Sequence, residues 1–250
     1  MKRGYRWGLW LALSVSLFGQ TEPPTDRPVS WKKLIPNMLD DQARIWTFPA
    51  RVVTDQNWIP TTAVLGGTAG LIALDPTEGA YFRRTSTFQP FNNVFTGQAT
   101  LAGILAAPVT FYVAGLFRKD SKMKNTALLA AEALGDSEFV TTIIKDTTRR
   151  IRPAAIPPNG NFSDTWFDSS GSVLRGQGSF PSGHTIAAMS VATVIARRYG
   201  RRHRWVPYVA YGMTALVGFS RMTLSAHFAA DVFMGGAMGY SISRFTVLRQ

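Results

Sequence analysis

Cysteine is absent from the 250-residue chain, and histidine occurs only three times. Without cysteine, disulfides, thiolate metal sites and cysteine nucleophiles are excluded. Acidic residues are also scarce, because 15 Asp and Glu stand against 27 Lys and Arg, for a formal net charge of +12. No DNA- or RNA-binding motif accompanies this positive charge, so we expect no nucleic-acid partner.

The alternating apolar and polar pattern of β-strands is also lacking. The apolar segments are instead long, carry few charges and have helical character. We therefore predict an all-α fold, a six-helix bundle. Its helices are expected at residues 61–74, 97–117, 126–145, 183–197, 205–220 and 226–245. Two long connections, 75–96 and 153–180, are expected to interrupt the bundle, and long loops are often functional.

The N-terminus has the pattern of a bacterial secretory signal. Lys2, Arg3 and Arg6 precede an uncharged apolar stretch, 7–18, and a polar, proline-rich segment follows. We expect a signal at 1–20, a linker and amphipathic lead-in at 21–60, and a helical domain at 61–250. An uncleaved anchor is the alternative to a cleaved signal. In the lead-in, the side expected to pack on the bundle consists of Leu34, Ile35, Met38, Leu39, Ile45 and Trp46.

Long uncharged runs are rare. Only 97–117 is comfortably long and apolar enough to cross a bilayer, whereas 126–145 carries Glu132, Asp136 and Glu138. The mean hydropathy of the chain is +0.01. Two options therefore stay open, a thin membrane bundle and an exported globular one. In both, the signal and the basic segments at the other end of the bundle favour an active site facing the periplasm.

Lys145 and Arg152-Pro153 form the first of three motifs. Pro153 favours an extended backbone at Arg152 and ends any helix there, which directs the guanidinium into the loop. Arginine offers a planar two-pronged donor to phosphate oxygens, and lysine offers a compact charge. Alone, the spacing is weak evidence, because basic residues near helix ends usually complement the helix dipole or are solvated.

Pro181-Ser182-Gly183-His184 is the second motif and lies at a predicted helix start. Backbone N–H groups at such a position bind anions. Ser182 adds a hydroxyl donor, Gly183 allows close approach of a ligand, and His184 lies within reach to donate a proton. A helix cap without a ligand explains the tetrapeptide alone equally well.

Ser220-Arg221, His227 and Asp231 make up the third motif. His227 and Asp231 are four residues apart, so they share one helix face, and the carboxylate is expected to accept from one imidazole nitrogen. That bond would fix the tautomer and make the other nitrogen a nucleophile toward phosphorus. Arg221 can add a second guanidinium group that donates to phosphate oxygens. By itself, a His and Asp pair at this spacing is more often a structural hydrogen bond with no catalytic role.

Together, in this order, the motifs resemble those of the type 2 phosphatidic acid phosphatase superfamily, which includes bacterial acid phosphatases and vanadium-dependent haloperoxidases. The resemblance implies a six-helix core and hydrolysis of a phosphomonoester or pyrophosphate with no metal and no cofactor. It implies His227 as the nucleophile that forms a phosphohistidine, Asp231 as its orienter, and His184 as the acid and then the base. The implied phosphate ligands are Lys145, Arg152, Ser182, Gly183 and Arg221.

The substrate class stays open. The favoured reading is a membrane-associated phosphatase for a lipid phosphate of the phosphatidate, phosphatidylglycerophosphate or prenyl pyrophosphate type. The alternative is a soluble exported acid phosphatase of broad specificity, and a haloperoxidase or a non-catalytic lipid-binding protein is less favoured. Apolar residues of the second connection are expected either to contact an acyl or prenyl chain or to anchor the loop, and these are Phe162, Trp166, Phe167, Val173, Leu174 and Phe180. We expect His203 to have no role in the site. Arg149 and Arg150 are expected either to attract anions or to be solvated.

Overall fold

The computed structural model describes residues 27–52, 58–167 and 176–249, and every regular element in these ranges is helical. This confirms the all-α prediction. The expected signal at 1–20 lies outside the described residues. The α-helices are α1 (Leu34–Arg51), α2 (Trp58–Arg84), α3 (Gln89–Val94), α4 (Gly97–Phe117), α5 (Ser121–Thr148), α6 (Gly183–Tyr199), α7 (Val206–Thr223) and α8 (Ala229–Ser241). A 3₁₀ turn covers Pro153–Ala155, and a π-helical segment, Ile242–Val247, follows α8.

The predicted count of six helices is not confirmed, because the described residues contain eight α-helices. Each expected helix corresponds to one of α2 and α4–α8, and α1 and α3 are additional. The largest error lies in the first expected connection, 75–96. There α2 continues through Pro76 to Arg84, since Asp75 and Phe82 are buried against the bundle. Tertiary contacts thus override the local helix-stop signal of a proline.

Helix α6 lies at the centre of the bundle and packs against α4, α5, α7 and α8. Buried side chains from α5 and α6, including Leu129, Val140, Ile186 and Val194, form the core. Gly235 lets α8 approach closely, because a Cβ at this position would lie 2.8 Å from the carbonyl oxygen of Ser182. The amide of Ser182 donates to the carbonyl of Asp231 at 3.0 Å. The small residues of α8 therefore bring the second and third motifs together.

The helix ends that carry the motifs meet at one end of the bundle. Thr148, the last residue of α5, donates to the carbonyl of Phe180 just before α6. At the other end, Arg198 near the end of α6 donates to Thr126 near the start of α5. The basic turns around these residues therefore lie opposite the motifs, as expected.

The predicted buried face of the lead-in is wrong in part. In α1, Leu34, Met38 and Ile45 are half-buried, but Ile35 and Leu39 are 64% and 67% exposed and Trp46 is also exposed. The physical reason is that α1 packs on α5 next to Glu132 and Asp136, which are fully buried and require polar partners. Polar residues of α1, such as Asn37 and Gln42, supply those partners.

Among the described residues, one helix is long and apolar enough to cross a membrane. This is α4, whose bounds agree with the predicted 97–117, and only 22% of its most apolar stretch is buried inside the protein. It is therefore a mostly exposed apolar helix and not the core helix of a globular domain.

Candidate active site

His227 lies immediately before α8 and is 2% exposed. Its Nδ1 is 2.7 Å from the carbonyl oxygen of Ser179, a group that can only accept. Nδ1 therefore carries the proton, and Nε2 keeps its lone pair. Burial lowers the pKa of His227 to about 4, although the charge of Asp231 opposes this shift. The imidazole is thus a buried, neutral base with one nitrogen free to attack.

Asp231 is not the direct acceptor predicted for His227. Its Oδ2 is 3.6 Å from His227 Nδ1, which is too long for a hydrogen bond. The carboxylate instead turns back to accept from the amide of Phe228 at 2.9 Å and from the hydroxyl of Ser179 at 2.5 Å. Asp231 therefore holds both the start of α8 and Ser179, the residue whose carbonyl binds the imidazole.

Arg150 fits neither of its two predicted roles, because it is fully buried and paired. Its Nη1 donates to Asp231 Oδ1 at 2.6 Å, and its Nη2 donates to Asp75 Oδ2 at 2.7 Å. The guanidinium also stacks on the rings of Phe228 and Trp166, 4.2 and 4.3 Å from their centroids. Arg150 thus ties α2 to the carboxylate behind His227.

Helix α2 contributes two carboxylates that the sequence did not predict in this region. Asp75 accepts from the amide of Ala230 at 3.2 Å, and Glu78 accepts from the amide of Ala229 at 3.4 Å. These first-turn amides of α8 have no acceptor within the helix. Both acids lie in the part of α2 that was predicted to be a loop, so local sequence patterns offered no signal for them.

Lys145 and Arg152 form the cationic side of the site. Lys145 is nearly buried, and its Nζ would lie 3.3 Å from a Cβ built at Gly183, so it reaches the start of α6. Arg152 has the extended backbone predicted for a residue before proline and is half-buried, and its Nε donates to the carbonyl of Gln177 at 3.4 Å. The charges of both residues act on His184 and on His227, and lower the pKa of each.

His184 and Arg221 converge on the start of α4. His184 Nε2 lies 3.0 Å from the carbonyl oxygen of Gly97. Arg221 Nη2 donates to the carbonyl of Phe95 at 2.5 Å and to Thr100 Oγ1 at 3.1 Å. Burial lowers the pKa of His184, the hydrogen bond to Gly97 raises it, and the charge of Arg221 lowers it further. The turn before α4 therefore positions the predicted acid and the third cation.

Ser182 has an extended backbone and precedes the first residue of α6. Its hydroxyl lies 2.9 Å from that of Thr185, and it makes no side-chain hydrogen bond to the helix amides. The first-turn amides of α6, including that of Gly183, are consequently left to other acceptors. An anion placed there would face Lys145.

The contacts thus connect all eight predicted site residues at one end of the bundle. His203 lies near the opposite end, after α6. In the long connection, Phe162 packs with Phe228 in a small core, and Trp166 packs on Phe180. These rings anchor the loop, whereas Phe167 is 73% exposed. The expected contacts of Val173 and Leu174 lie outside the described residues.

Besides Asp75 and Glu78, motif reasoning missed the positioning roles of Ser179 and Arg150. Ser179 lies two residues before the second motif, but its carbonyl and hydroxyl are engaged by residues 48 and 52 positions away. Arg150 lies inside the first motif, and its partners are 75 and 81 positions away. Spacing along the chain carries no signal for contacts at such separations.

Comparison with known proteins identifies a matching family model and similar proteins. The family model described as the PAP2 superfamily matches residues 125–250. A lipid A 1-phosphatase of Porphyromonas gingivalis is 39% identical over 61 residues, which are 24% of this chain and 14% of that protein. Phosphatidylglycerophosphatase B of Bacillus subtilis is 29% identical over 161 residues, 60% of this chain and 71% of the relative.

A solved structure is also similar. It is the crystal structure of a transmembrane PAP2-type phosphatidylglycerolphosphate phosphatase from Bacillus subtilis, with 18% identity and a TM-score of 0.43. The alignment covers 86% of this chain and 92% of the other.

Proposed function

This chain belongs to the PAP2 superfamily, and we propose that it is a phosphatase that hydrolyses a phosphomonoester or pyrophosphate of a membrane lipid through a phosphohistidine. The observation that carries the proposal is the hydrogen bond from His227 Nδ1 to the carbonyl of Ser179. This bond leaves Nε2 unprotonated, and the charges of Lys145 and Arg152 act on the same imidazole. A buried neutral imidazole beside two cations is suited to attack a phosphate dianion.

In the first proposed step, Lys145, Arg152, Arg221, Ser182 and the amides at the start of α6 bind the phosphoryl oxygens. His227 Nε2 attacks phosphorus, and the bond from phosphorus to the ester oxygen breaks. His184 donates a proton to that oxygen, so the leaving group departs as a neutral alcohol or, from a pyrophosphate, as a protonated phosphate. The charge that develops in the transition state is met by fixed donors.

In the second step, water attacks the phosphohistidine. His184, now neutral, takes a proton from the water as the new phosphorus–oxygen bond forms and the phosphorus–nitrogen bond breaks. Orthophosphate leaves, and His227 returns to the neutral tautomer that donates from Nδ1 to Ser179. Asp231 and Arg150 act behind the imidazole and are positioning residues.

Three observations favour a lipid substrate. Both curated relatives are named as phosphatases of lipid phosphates. Helix α4 is long and apolar enough to cross a bilayer, and most of its surface is exposed. In addition, α4 begins at Gly97, which contacts His184, so a membrane that held α4 would lie beside the site. We propose that the site faces the periplasm, because the basic turns lie at the opposite end of the bundle.

A soluble acid phosphatase is the second candidate, favoured by the mean hydropathy of +0.01. A phosphate-release screen distinguishes the two. The purified protein is assayed in EDTA against phosphatidylglycerophosphate, phosphatidate, a prenyl pyrophosphate and a soluble aryl phosphate. The proposal predicts a kcat/KM for one lipid well above that for the aryl ester, and membrane association that resists a high-salt wash. Equal rates on all substrates from a fully soluble protein would favour the second candidate.

A further inference from the structure

We propose that the exposed side of α1 lies against the acyl chains of a lipid bilayer, and that α1 shields the buried acidic residues of α5 from them. The proposed lipid-contacting face of α1 consists of Ile35, Leu39 and Trp46, which share one side of the helix and are exposed. The proposal rests on the membrane association in the proposed function and adds a specific lipid-contacting surface to it.

The inward side of α1 supplies polar partners to buried acids. Asn37 donates to Glu132 Oε1 at 2.7 Å, and Gln42 donates to Asp136 Oδ1 at 2.9 Å. Asp41, also on this side, is fully buried. An amphipathic helix of a water-soluble protein turns its apolar stripe toward the core. Helix α1 divides its apolar residues instead, because some are half-buried against α5 while others stay exposed on another side of the helix.

Arginine side chains pair with two of the buried acids in this contact between α1 and α5. Arg27 is within ion-pair distance of both Asp41 and Glu132. Arg249, near the end of the chain, donates to Asp41 at 2.8 Å and also pairs with Asp40. Ionised groups beside hydrocarbon are tolerated when they are paired and face the interior of the bundle. Two of the three acids of α5 that argued against a membrane location, Glu132 and Asp136, are thus covered by α1, whereas Glu138 is exposed.

The segment that leads into α1 contacts α4. Trp31, just before α1, donates from Nε1 to the hydroxyl of Tyr112 at 2.6 Å, and their ring centroids are 5.3 Å apart. On α4, a stripe of exposed apolar residues runs at helical spacing through Leu101, Leu105, Val109 and Val113. The lipid-contacting surface that we propose is therefore continuous with the one helix in the described residues that could cross a bilayer.

Exposed apolar side chains also occur away from α1 and α4. Helix α7 exposes Tyr208, Val209 and Met213, and α2 exposes Ile59, Leu65 and Leu74. Helix α7 packs on α6 and α8, whereas α1 packs on α5. A single protein partner would cover one side of the bundle, but a bilayer covers all of these surfaces together. This distribution favours lipid over a second copy of the chain.

The absence of cysteine makes the test direct. Single-cysteine variants Leu39→Cys and Ile35→Cys of the full chain are labelled with an environment-sensitive NBD fluorophore. They are then reconstituted into phosphatidylcholine–phosphatidylglycerol vesicles with or without brominated acyl chains. Val109→Cys on α4 is the control for the proposed membrane surface, and Arg202→Cys, exposed in a basic turn, is the aqueous control. Phosphate release by each labelled protein confirms that it is folded.

The proposal predicts that brominated chains quench the Leu39 and Ile35 labels as strongly as the Val109 label and leave the Arg202 label unquenched. Quenching at Val109 alone would overturn the proposal for α1 and leave the membrane association of the proposed function intact. An unquenched Val109 label would overturn both. A blue-shifted but unquenched Leu39 label, together with disulfide cross-linking between chains of the unlabelled Leu39→Cys variant, would also overturn it, since a second copy would then cover α1.

Discussion

Arg150 and Asp231 form a fully buried ion pair, with Arg150 Nη1 2.6 Å from Asp231 Oδ1, directly behind the imidazole of His227. Asp231 in turn binds the hydroxyl of Ser179, whose carbonyl accepts from His227. A continuous series of polar contacts therefore runs from Asp75 on α2, through Arg150, to the proposed nucleophile. Arg150, Ser179 and His227 in this series each lead to a separate prediction.

Replacing Arg150 with Gln should lower kcat and the stability of the fold. The change leaves Asp75 and Asp231 as buried carboxylates without their cation, and removing one partner of a buried pair costs about 3–5 kcal/mol. We expect kcat to fall much more than KM rises, because Arg150 is behind the imidazole and does not touch phosphate. The measurements are steady-state kinetics and equilibrium unfolding.

Arg149→Gln is the matched control, since Arg149 is the exposed neighbour of Arg150. Surface changes of this type usually alter stability by about 0.5 kcal/mol or less. Equal effects of the two substitutions would contradict a positioning role for Arg150.

Ser179→Ala should reduce kcat and leave KM nearly unchanged. The variant keeps the backbone carbonyl that accepts from His227 but removes the hydroxyl that donates to Asp231. Hydrogen bonds to charged groups contribute about 1.5–3 kcal/mol, equivalent to a loss of about 10- to 100-fold in rate if the full value is expressed in the transition state. A large rise in KM with normal kcat would instead identify Ser179 as a substrate ligand.

Gly235→Ala should destabilise the packing of α8 on α6, because the added Cβ would lie 2.8 Å from the carbonyl oxygen of Ser182. Overpacking of this kind typically costs about 1–3 kcal/mol. The neighbouring Gly236→Ala places its Cβ 3.6 Å from Met189 Cε, an ordinary contact, and should be neutral or slightly stabilising. The measurement is the free energy of unfolding of each variant. Equal values would contradict the close approach of α8 to α6 at Gly235.

The pH dependence of kcat/KM should have an acid limb near pH 4. The folded pKa of His227 is about 4, below the ordinary value of 6.5, so the neutral nucleophile persists until the pH approaches 4. The pKa of His184 is also lowered, so the alkaline limb for the protonated acid should lie below pH 6.5. An acid limb near 6.5 would contradict the buried neutral imidazole.

The lowered pKa of His227 also makes the free energy of unfolding depend on pH. A histidine whose folded pKa lies below its unfolded value stabilises the fold above the unfolded pKa, and that contribution disappears as the pH falls. For His227 the loss should occur between about pH 6.5 and pH 4. His227→Gln should remove this component from the pH dependence of the unfolding free energy, and an unchanged dependence would contradict the assignment.

Local sequence signals predicted the parts of the fold that depend on neighbouring residues. The bounds of α4 agree with the prediction because Thr96 caps its first turn and a charged turn follows Phe117. The extended backbone of Arg152 follows from Pro153. Asp75 and Glu78 were missed because Pro76 resembles a helix stop, whereas the capping of α8, more than 150 positions away, keeps them in a helix.

Long-range partners also explain why α1 exposes part of its apolar surface. The apolar pattern predicted an amphipathic lead-in that packs on the bundle, but the side that faces inward depends on Glu132 and Asp136 of a distant helix. Similarly, the spacing of His227 and Asp231 places both residues on one face of the helix. The carboxylate of Asp231 nevertheless accepts its hydrogen bonds from the backbone amide of Phe228 and the hydroxyl of Ser179. Periodicity identifies the faces of a helix, and tertiary contacts decide what each face meets.

The most direct test of the central claim is transfer of labelled phosphate to His227. Wild-type protein, His227→Ala and His184→Ala are mixed with a substrate carrying ³²P in its terminal phosphate, quenched in alkali within the first turnover, and mapped by peptide digestion. The account predicts a label on His227 of the wild type that is stable in alkali and labile in acid, slower labelling in His184→Ala, and neither label nor phosphate release in a folded His227→Ala. Undiminished phosphate release by His227→Ala would contradict it.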